Sequence, residues 1–339
     1  MPLTPEQIAL RKTGISASEV AAVAGLHPYV KPIDIWSSKL GLVDPFEGNK
    51  QSKWGDLLEQ VIADHYAKEH AEEKIVVRHP KVIEGSINGT LVREISPRFR
   101  LIATPDRIIY RKRIATPIRN LQIKTAGLRQ SDKWGPSGTD QVPEEYAVQV
   151  AVEMAVLGVD ETDLAALIGG QDDREYHLKR DMELEGQLIE ICAKFWVDHI
   201  LTQTPPPVDG SESYSDYLKR RFPRDTRPML PATDEARELW SDLRYSRSSR
   251  EFWESEEMVA ENALKALIGD AGGIEGLCTW RQNKPSHPVD WEAAWNELTA
   301  EFDPKLHAHF QDLVAEIRKK HTTTKPGARP FKLITPKEK

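Results

Sequence analysis

The sequence predicts an α+β (α/β) fold: a mixed central sheet flanked by helices, followed by a C-terminal helical and β extension. Three observations carry this. Strand-like runs occupy 75–83, 99–104, 107–111 and 118–125. Helix-period runs at 54–71, 143–157 and 182–201 surround them. Pro205-Pro206-Pro207 and the polar stretch to Ser215 then close this part of the chain. The expected division is 1–208 and 209–339.

Taken in order, Ser16 or Ser18 caps a helix that begins near Glu19. A helix start, a serine hydroxyl and nearby Arg11 compose an anion site; ordinary capping explains the same residues. Pro32 opens a helix through Ile33, Trp36 and Leu40, ended by Gly41. Trp54, Leu57, Leu58, Val61, Ile62 and His65 form one helical stripe, with Glu59 at its edge.

Pro143 starts a helix with Tyr146, Gln149 and Glu153 on one face and Ala147, Val150, Met154 and Leu157 on the other. The polar face meets either a site or solvent. Residues 163–168 and 175–179 read as a hairpin around Gly169-Gly170-Gln171-Asp172-Asp173. A long amphipathic helix then presents Leu184, Leu188, Ile191, Phe195 and Val197.

Beyond the prolines, 233–268 is a charged helical stretch, an exposed hairpin or arm with a break near Ser246 to Ser249. Gly269 to Gly276 lacks the context of a phosphate loop and reads as a turn. A strand at 277–284, a helix at 289–320 broken at Pro304 and a strand at 329–334 complete the chain.

Composition excludes some classes. The chain has 339 residues, 39% hydrophobic and 29% charged, as in a water-soluble globular protein. No apolar run approaches membrane-spanning length and the N-terminus has no signal-peptide pattern, so a cytoplasmic location is expected, with no membrane partner. Cys192 and Cys278 lie far apart, which suggests a reducing compartment and no zinc site. His307 and His309 are too close to share a helix face. A net charge of −7 argues against a general nucleic-acid coat protein, but not against an enzyme with basic residues gathered in one groove. Arg111-Lys112-Arg113, Lys219-Arg220-Arg221 and Arg318-Lys319-Lys320 are local basic clusters or solvated faces.

The chemistry concentrates between Thr104 and Thr125. Asp106 sits at a bend between two strands, and alternation puts Gln122 and Lys124 on one face of a third. If the strands pair as neighbours, a carboxylate, an amide oxygen and an amine meet over a sheet. That set suits phosphodiester hydrolysis. A hard divalent cation takes oxygen ligands and lowers the pKa of a bound water. A lysine beside the water orients or deprotonates it and offsets charge growing on phosphorus. An Asp in a turn and a surface Lys give the same spacing.

Five motifs in order resemble the phage lambda exonuclease group, in its YqaJ-type viral recombinase branch. They are Arg11-x-x-Gly14-Ile15-x-Ala17-Ser18-Glu19, Trp54-Gly55-x-x-x-Glu59, Thr104-Pro105-Asp106, Gln122-x-Lys124-Thr125 and Tyr146-x-x-Gln149-Val150-x-x-x-Met154. They cover about residues 8 to 205. Gly269-Asp270, Cys278-Thr279-Trp280 and Val289-Asp290-Trp291 resemble the tail of longer members.

The resemblance implies a restriction-endonuclease-like PD-(D/E)xK core and a metal-dependent exonuclease that digests double-stranded DNA from a 5′ end. It also implies a single-strand annealing protein as partner and a ring of identical subunits, a trimer favoured. Asp106 would be the main ligand of Mg²⁺ or Mn²⁺, with two ions expected. The Ile123 main-chain carbonyl, Gln122 and Glu59 would complete the set. Lys124 would assist the attacking water, Gln149 would help position it, and Arg11 and Ser18 would hold the 5′-terminal phosphate. One departure stands out: the pattern expects Asp or Glu where this chain has Gln122. An amide oxygen ligates without charge, which leaves two alternatives open: a catalytically weak DNA-end-binding module and a restriction-like endonuclease.

Overall fold

The computed structural model describes residues 5–44, 48–79, 82–83, 86–87, 90–92, 99–281, 312–313, 316 and 319. In chain order it begins with α1 (Pro5–Arg11), β1 (Ile15–Ser16), α2 (Ala17–Val23), α3 (Pro32–Lys39) and α4 (Lys50–Glu69). Short strands β2 (Ile75–Arg78), β3 (Val82–Ile83), β4 (Ser86–Ile87), β5 (Thr90–Val92) and β6 (Arg100–Ile102) follow. Then come β7 (Arg107–Arg111), β8 (Pro117–Ala126), α5 (Glu144–Leu157), β9 (Glu161–Ile168), β10 (Asp172–Lys179), α6 (Met182–Phe195) and α7 (Glu212–Arg221). The chain continues with α8 (Asp234–Ile268), β11 (Gly273–Ile274) and β12 (Cys278–Thr279).

The central sheet has five strands in the order β10-β9-β8-β7-β2. Only β8 and β9 run parallel; the other pairs are antiparallel. This is the mixed central sheet, flanked by helices, that the sequence predicts. Its two faces are covered differently because side chains alternate along a strand. Leu121, Ile123 and Ala165 pack with Ile62, Ala63 and Tyr66 of α4. Leu164, Ala166 and Ile168 pack with Val150 of α5 and with Trp134 and Tyr176. The other side of α5, through Val148, Ala151 and Val152, joins α2, α3 and α6 in the largest core.

A second, three-stranded sheet is ordered β1-β6-β5. Ile15 and Ser16 run parallel to Leu101 and Ile102, which ties the first motif to the strand leading into Asp106. Gly14 permits this approach, since a Cβ there would lie 2.3 Å from the Arg100 carbonyl oxygen.

Several expected elements shift. The run 75–83 ends as a central-sheet strand at Arg78. On α4 the buried residues are Ile62, Ala63 and Tyr66, whereas Trp54, Leu57 and Val61 are exposed. Gly55, not a bulky residue, is the position of the first turns that approaches β8, 3.7 Å from Thr125 Oγ1 when given a Cβ. The helix from Met182 passes into a π-helical segment at Trp196–Leu201. The stretch after Thr233 is one unbroken 35-residue helix without the break at Ser246 to Ser249. Ser246 and Ser248 are exposed and Ser249 is half-buried, on a surface where moderate helix propensity suffices. Gly273–Ile274 and Cys278–Thr279 pair as a short hairpin, so the glycine stretch contributes a strand and the strand at 277–284 is shorter over its described part.

The chain divides into compact units at Phe222/Pro223, later than the expected 208/209. The reason is α7: Tyr214 is buried in the large core and Tyr217 packs edge-on against Trp36, with ring centroids 5.5 Å apart. Arg111, Lys112 and Arg113 are exposed, as are Lys219, Arg220 and Arg221. Cys192 and Cys278 are free cysteines. His307, His309, Arg318, Lys320 and most of 289–320, with all of 329–334, lie outside the described residues. No helix among the described residues is long and apolar enough to cross a membrane.

Candidate active site

β7 and β8 are neighbours, with Arg107 opposite Leu121. Asp106, at the bend before β7, is thereby carried to the middle of β8, where its Oδ2 accepts the Ile123 N–H at 2.8 Å. Gln122 and Lys124 flank that contact and point to the α5 side. Burial is the main influence on the Asp106 carboxyl and raises its pKa, against the pull of Lys124 and of the Ile123 N–H. A cation beside this carboxyl would favour its charged form.

Lys124 Nζ donates to Gln149 Oε1 at 3.1 Å and lies 4.9 Å from the centre of the Tyr146 ring. The polar face of α5 therefore meets the sheet, not solvent. Gln149 Nε2 in turn donates to Glu153 Oε1 at 2.8 Å, and Asn120 Nδ2 donates to Glu153 Oε2 at 2.9 Å. Glu153 is 1% exposed. Burial raises its pKa to about 7, opposed by the Gln149 hydrogen bond and the Lys124 charge.

Glu59 is on α4, close enough to Asp106 for its charge to raise the Asp106 pKa. Its carboxylate pairs with Arg107 Nη1, and the same guanidinium donates to Gln60 Oε1 at 3.0 Å and to the Asp106 carbonyl oxygen at 2.6 Å. Burial acts to raise the Glu59 pKa, but hydrogen bonds and positive charge, Arg107 among them, hold it below the ordinary carboxylate range. Arg107 escaped sequence reasoning; its position next to Asp106 is the only signal of it in the chain.

Arg11 and Ser18 come together: Arg11 Nη2 donates to Ser18 Oγ at 2.7 Å. Ser16, not Ser18, caps α2, and its N–H is accepted by Glu19 Oε2 at 2.8 Å. Lys39 holds the segment from behind. Its buried Nζ donates to Glu19 Oε2 at 2.7 Å and to the Arg11 carbonyl oxygen at 2.6 Å. Nothing in the spacing signals Lys39, because α3 meets α1 and α2 only through folding. Arg11 is near enough to Glu153 for its charge to lower the Glu153 pKa, so the Arg11–Ser18 pair and the Asp106–Lys124 pair share one region.

Among the described residues, no three of His, Cys, Asp and Glu gather as a metal-binding group. The donors at hand include an amide oxygen and a main-chain carbonyl, and one observation fits a hard cation. Gln122 is 4% exposed, and its Oε1 is buried without a hydrogen-bond partner. An unsatisfied buried acceptor costs about 1–3 kcal/mol. A cation beside Asp106 would satisfy it. The donor set Asp106, Gln122, Ile123 carbonyl and Glu59 is all oxygen, as Mg²⁺ or Mn²⁺ requires.

The chain is 25% identical over 320 residues to the uncharacterized protein YqaJ of Bacillus subtilis (strain 168), covering 91% of this chain and 89% of that one. The alkaline exonuclease LHK-Exo of Laribacter hongkongensis aligns at TM-score 0.42 and 18% identity, over 64% of this chain and 97% of that one. A phage-related exonuclease of Haemophilus somnus 129PT aligns at TM-score 0.40 and 13% identity, over 58% and 99%. The family model that matches is that of the YqaJ-like viral recombinase domain, over residues 7–164. That span contains Arg11, Ser18, Glu59, Asp106, Gln122, Lys124 and Gln149, and over it the chain is similar to the YqaJ-like viral recombinase domain.

Proposed function

We propose that this protein is a metal-dependent exonuclease that digests linear double-stranded DNA from the 5′ end and leaves 3′ single-stranded tails. The YqaJ-like viral recombinase domain supports a nuclease role. The observation that carries the reading is the meeting of Asp106 with the backbone of β8 between Gln122 and Lys124. Mg²⁺ or Mn²⁺, as two ions, would be held by Asp106, Gln122, the Ile123 carbonyl and Glu59, and would supply Lewis-acid activation of the phosphodiester and its water. Lys124 orients the attacking water and offsets charge on the phosphoryl oxygens, with Gln149 holding its amine. Arg11 presents a planar fork to the 5′-terminal phosphate and Ser18 adds a hydroxyl. A terminal phosphate carries more charge than an internal one, so the pocket selects an end and places the next phosphodiester over Asp106.

The 3′ tails would serve a single-strand annealing protein in phage-type recombination, in the cytoplasm of a bacterial host. A closed ring of identical subunits, with a trimer favoured, would keep the enzyme on its DNA. Incubation of linear and covalently closed duplex with Mg²⁺ tests the activity. Loss of linear DNA alone is expected. Cutting of circles would indicate an endonuclease, and retention without hydrolysis an end-binding module. Linear duplex with a 5′-phosphate is expected to be digested faster than its 5′-hydroxyl counterpart, and Arg11→Ala to erase most of that difference. Equal wild-type rates on both ends would remove the phosphate pocket and the 5′-to-3′ direction.

A further inference from the structure

Behind Lys124 lies a chain of buried polar side chains. Thr162 Oγ1 donates to Asn120 Oδ1 at 2.5 Å, Asn120 Nδ2 donates to Glu153, Glu153 accepts from Gln149 Nε2, and Gln149 Oε1 accepts from Lys124 Nζ. Thr162 and Asn120 are fully buried, and Gln149 is 7% exposed. The donors and acceptors alternate without a break. An amide side chain can turn by half a revolution at little steric cost, which exchanges its donor and acceptor. Glu153 removes that freedom at Gln149. A carboxylate only accepts, so it draws the Gln149 NH₂ toward itself and leaves Oε1 facing Lys124. Asn120, pinned by Thr162, fixes the other carboxylate oxygen.

The geometry points to Glu153 as a positioning residue that sets the Gln149 amide and, through it, the place of the Lys124 amine. This rests on Lys124 acting beside the attacking water. Glu153 lies within reach of the charges of Lys124, Asp106 and Arg11, and above about pH 7, where it is ionised, its carboxylate also brings to this side of the sheet a negative charge that Gln122 does not. In Glu153→Gln one acceptor becomes a donor. The amide groups of Asn120 and Gln149 then compete for the single oxygen left. If Gln149 turns, its N–H groups face the Lys124 amine and drive it away.

The test compares three variants on 5′-phosphorylated linear duplex. Lys124→Ala checks the underlying reading: if it keeps full turnover, that reading fails and the positioning role has no object. With Lys124→Ala inactive, Glu153→Gln is expected to lower kcat about 10- to 100-fold with KM changed less than threefold, since a misplacement of about 1 Å costs this much. Asn120→Asp/Glu153→Gln moves the acceptor across the bond. The amide introduced at position 153 then donates to the carboxylate introduced at position 120 and accepts from Gln149, so kcat is expected to return to within threefold of wild type. A folded Glu153→Gln with wild-type kcat overturns the proposal, as does a double variant as slow as the single one. A purely structural role would lower the melting temperature of both variants and leave kcat intact well below it. If Glu153→Gln does not fold, the double variant decides: folded and fast supports the positioning role, folded and slow overturns it.

Discussion

The two faces of β8 and β9 each carry a buried polar cluster, and the two are built on opposite terms. On the α4 face, Arg119 and Asp163 pair through Arg119 Nε, and Asp163 also accepts from the Tyr66 hydroxyl and lies 2.7 Å from His177 Nδ1. Arg119 Nη2 donates to Glu73 Oε2 at 2.8 Å, and His70 sits between Glu73 and Glu175 while stacking on Tyr66 at 4.2 Å. Burial and Asp163 keep the Tyr66 hydroxyl protonated far above its usual range. Positive and negative charges close on one another and fasten α4 to the sheet. On the α5 face, one residue along each strand, Asn120 and Thr162 lead to Glu153, Gln149 and Lys124, and nearby Gln122 Oε1 has no partner. A cluster whose charges close in ion pairs serves as scaffold. One left with an open amide acceptor beside a cation-seeking carboxyl has the character of a site, where natural proteins accept local cost for function.

The largest effect expected to break this contrast is on stability. Asp163→Ala leaves Arg119 with Glu73 at the rim as its remaining acidic partner, and loss of one partner of a buried pair costs up to about 3–5 kcal/mol. Urea unfolding is expected to show that loss, with the remaining folded protein still cleaving DNA at the wild-type rate. A catalytic defect without a stability defect would make the α4 cluster functional. The converse case is Asp106→Ala or Lys124→Ala. Turnover is expected to fall on the order of 10²-fold or more, with little change in the unfolding midpoint. Near-normal turnover in well-folded Asp106→Ala protein would move the site elsewhere.

Gln122 sharpens the contrast at the level of binding. Gln122→Glu adds charge to an oxygen donor and is expected to tighten Mn²⁺ binding on the order of tenfold, and Gln122→Ala to weaken it. Calorimetric titration of Mn²⁺ in the absence of DNA reads this directly; unchanged affinity in both would take Gln122 out of the donor set. The smallest effect is on pH. Glu153 has its folded pKa raised to about 7, so the fold favours its protonated form. Its contribution to stability is present below the unfolded carboxylate pKa and lost as pH rises through about 7. Glu153→Gln cannot lose it. Relative to wild type, the melting temperature of Glu153→Gln is expected to improve by a few degrees between pH 5 and 8. A constant difference across that range would show that Glu153 is charged throughout.

Much of the site was legible because it depends on covalent periodicity. Alternation alone puts Gln122 and Lys124 on one face of β8 and Leu121 and Ile123 on the other, and 3.6-residue spacing puts Gln149 beside Glu153 on α5. The bend at Asp106 follows from Pro105 between two apolar runs. These relations span a few residues and survive any arrangement of the elements. The same rule misled on α4, where the pattern of Trp54, Leu57 and Val61 marks an apolar stripe but not which turn of the helix reaches the sheet.

Tertiary structure decided what periodicity cannot express: which faces meet. The polar face of α5 was visible as a set, yet only the packing of Val150 against Leu164 turns it onto β8 in place of solvent. Lys39 reaches Arg11, Arg107 pairs with Glu59, and Tyr217 lies on Trp36, across separations in the chain at which no local propensity acts. Those contacts form because burying apolar faces fixes the distances between elements, and the polar partners then find one another within the few ångströms that remain.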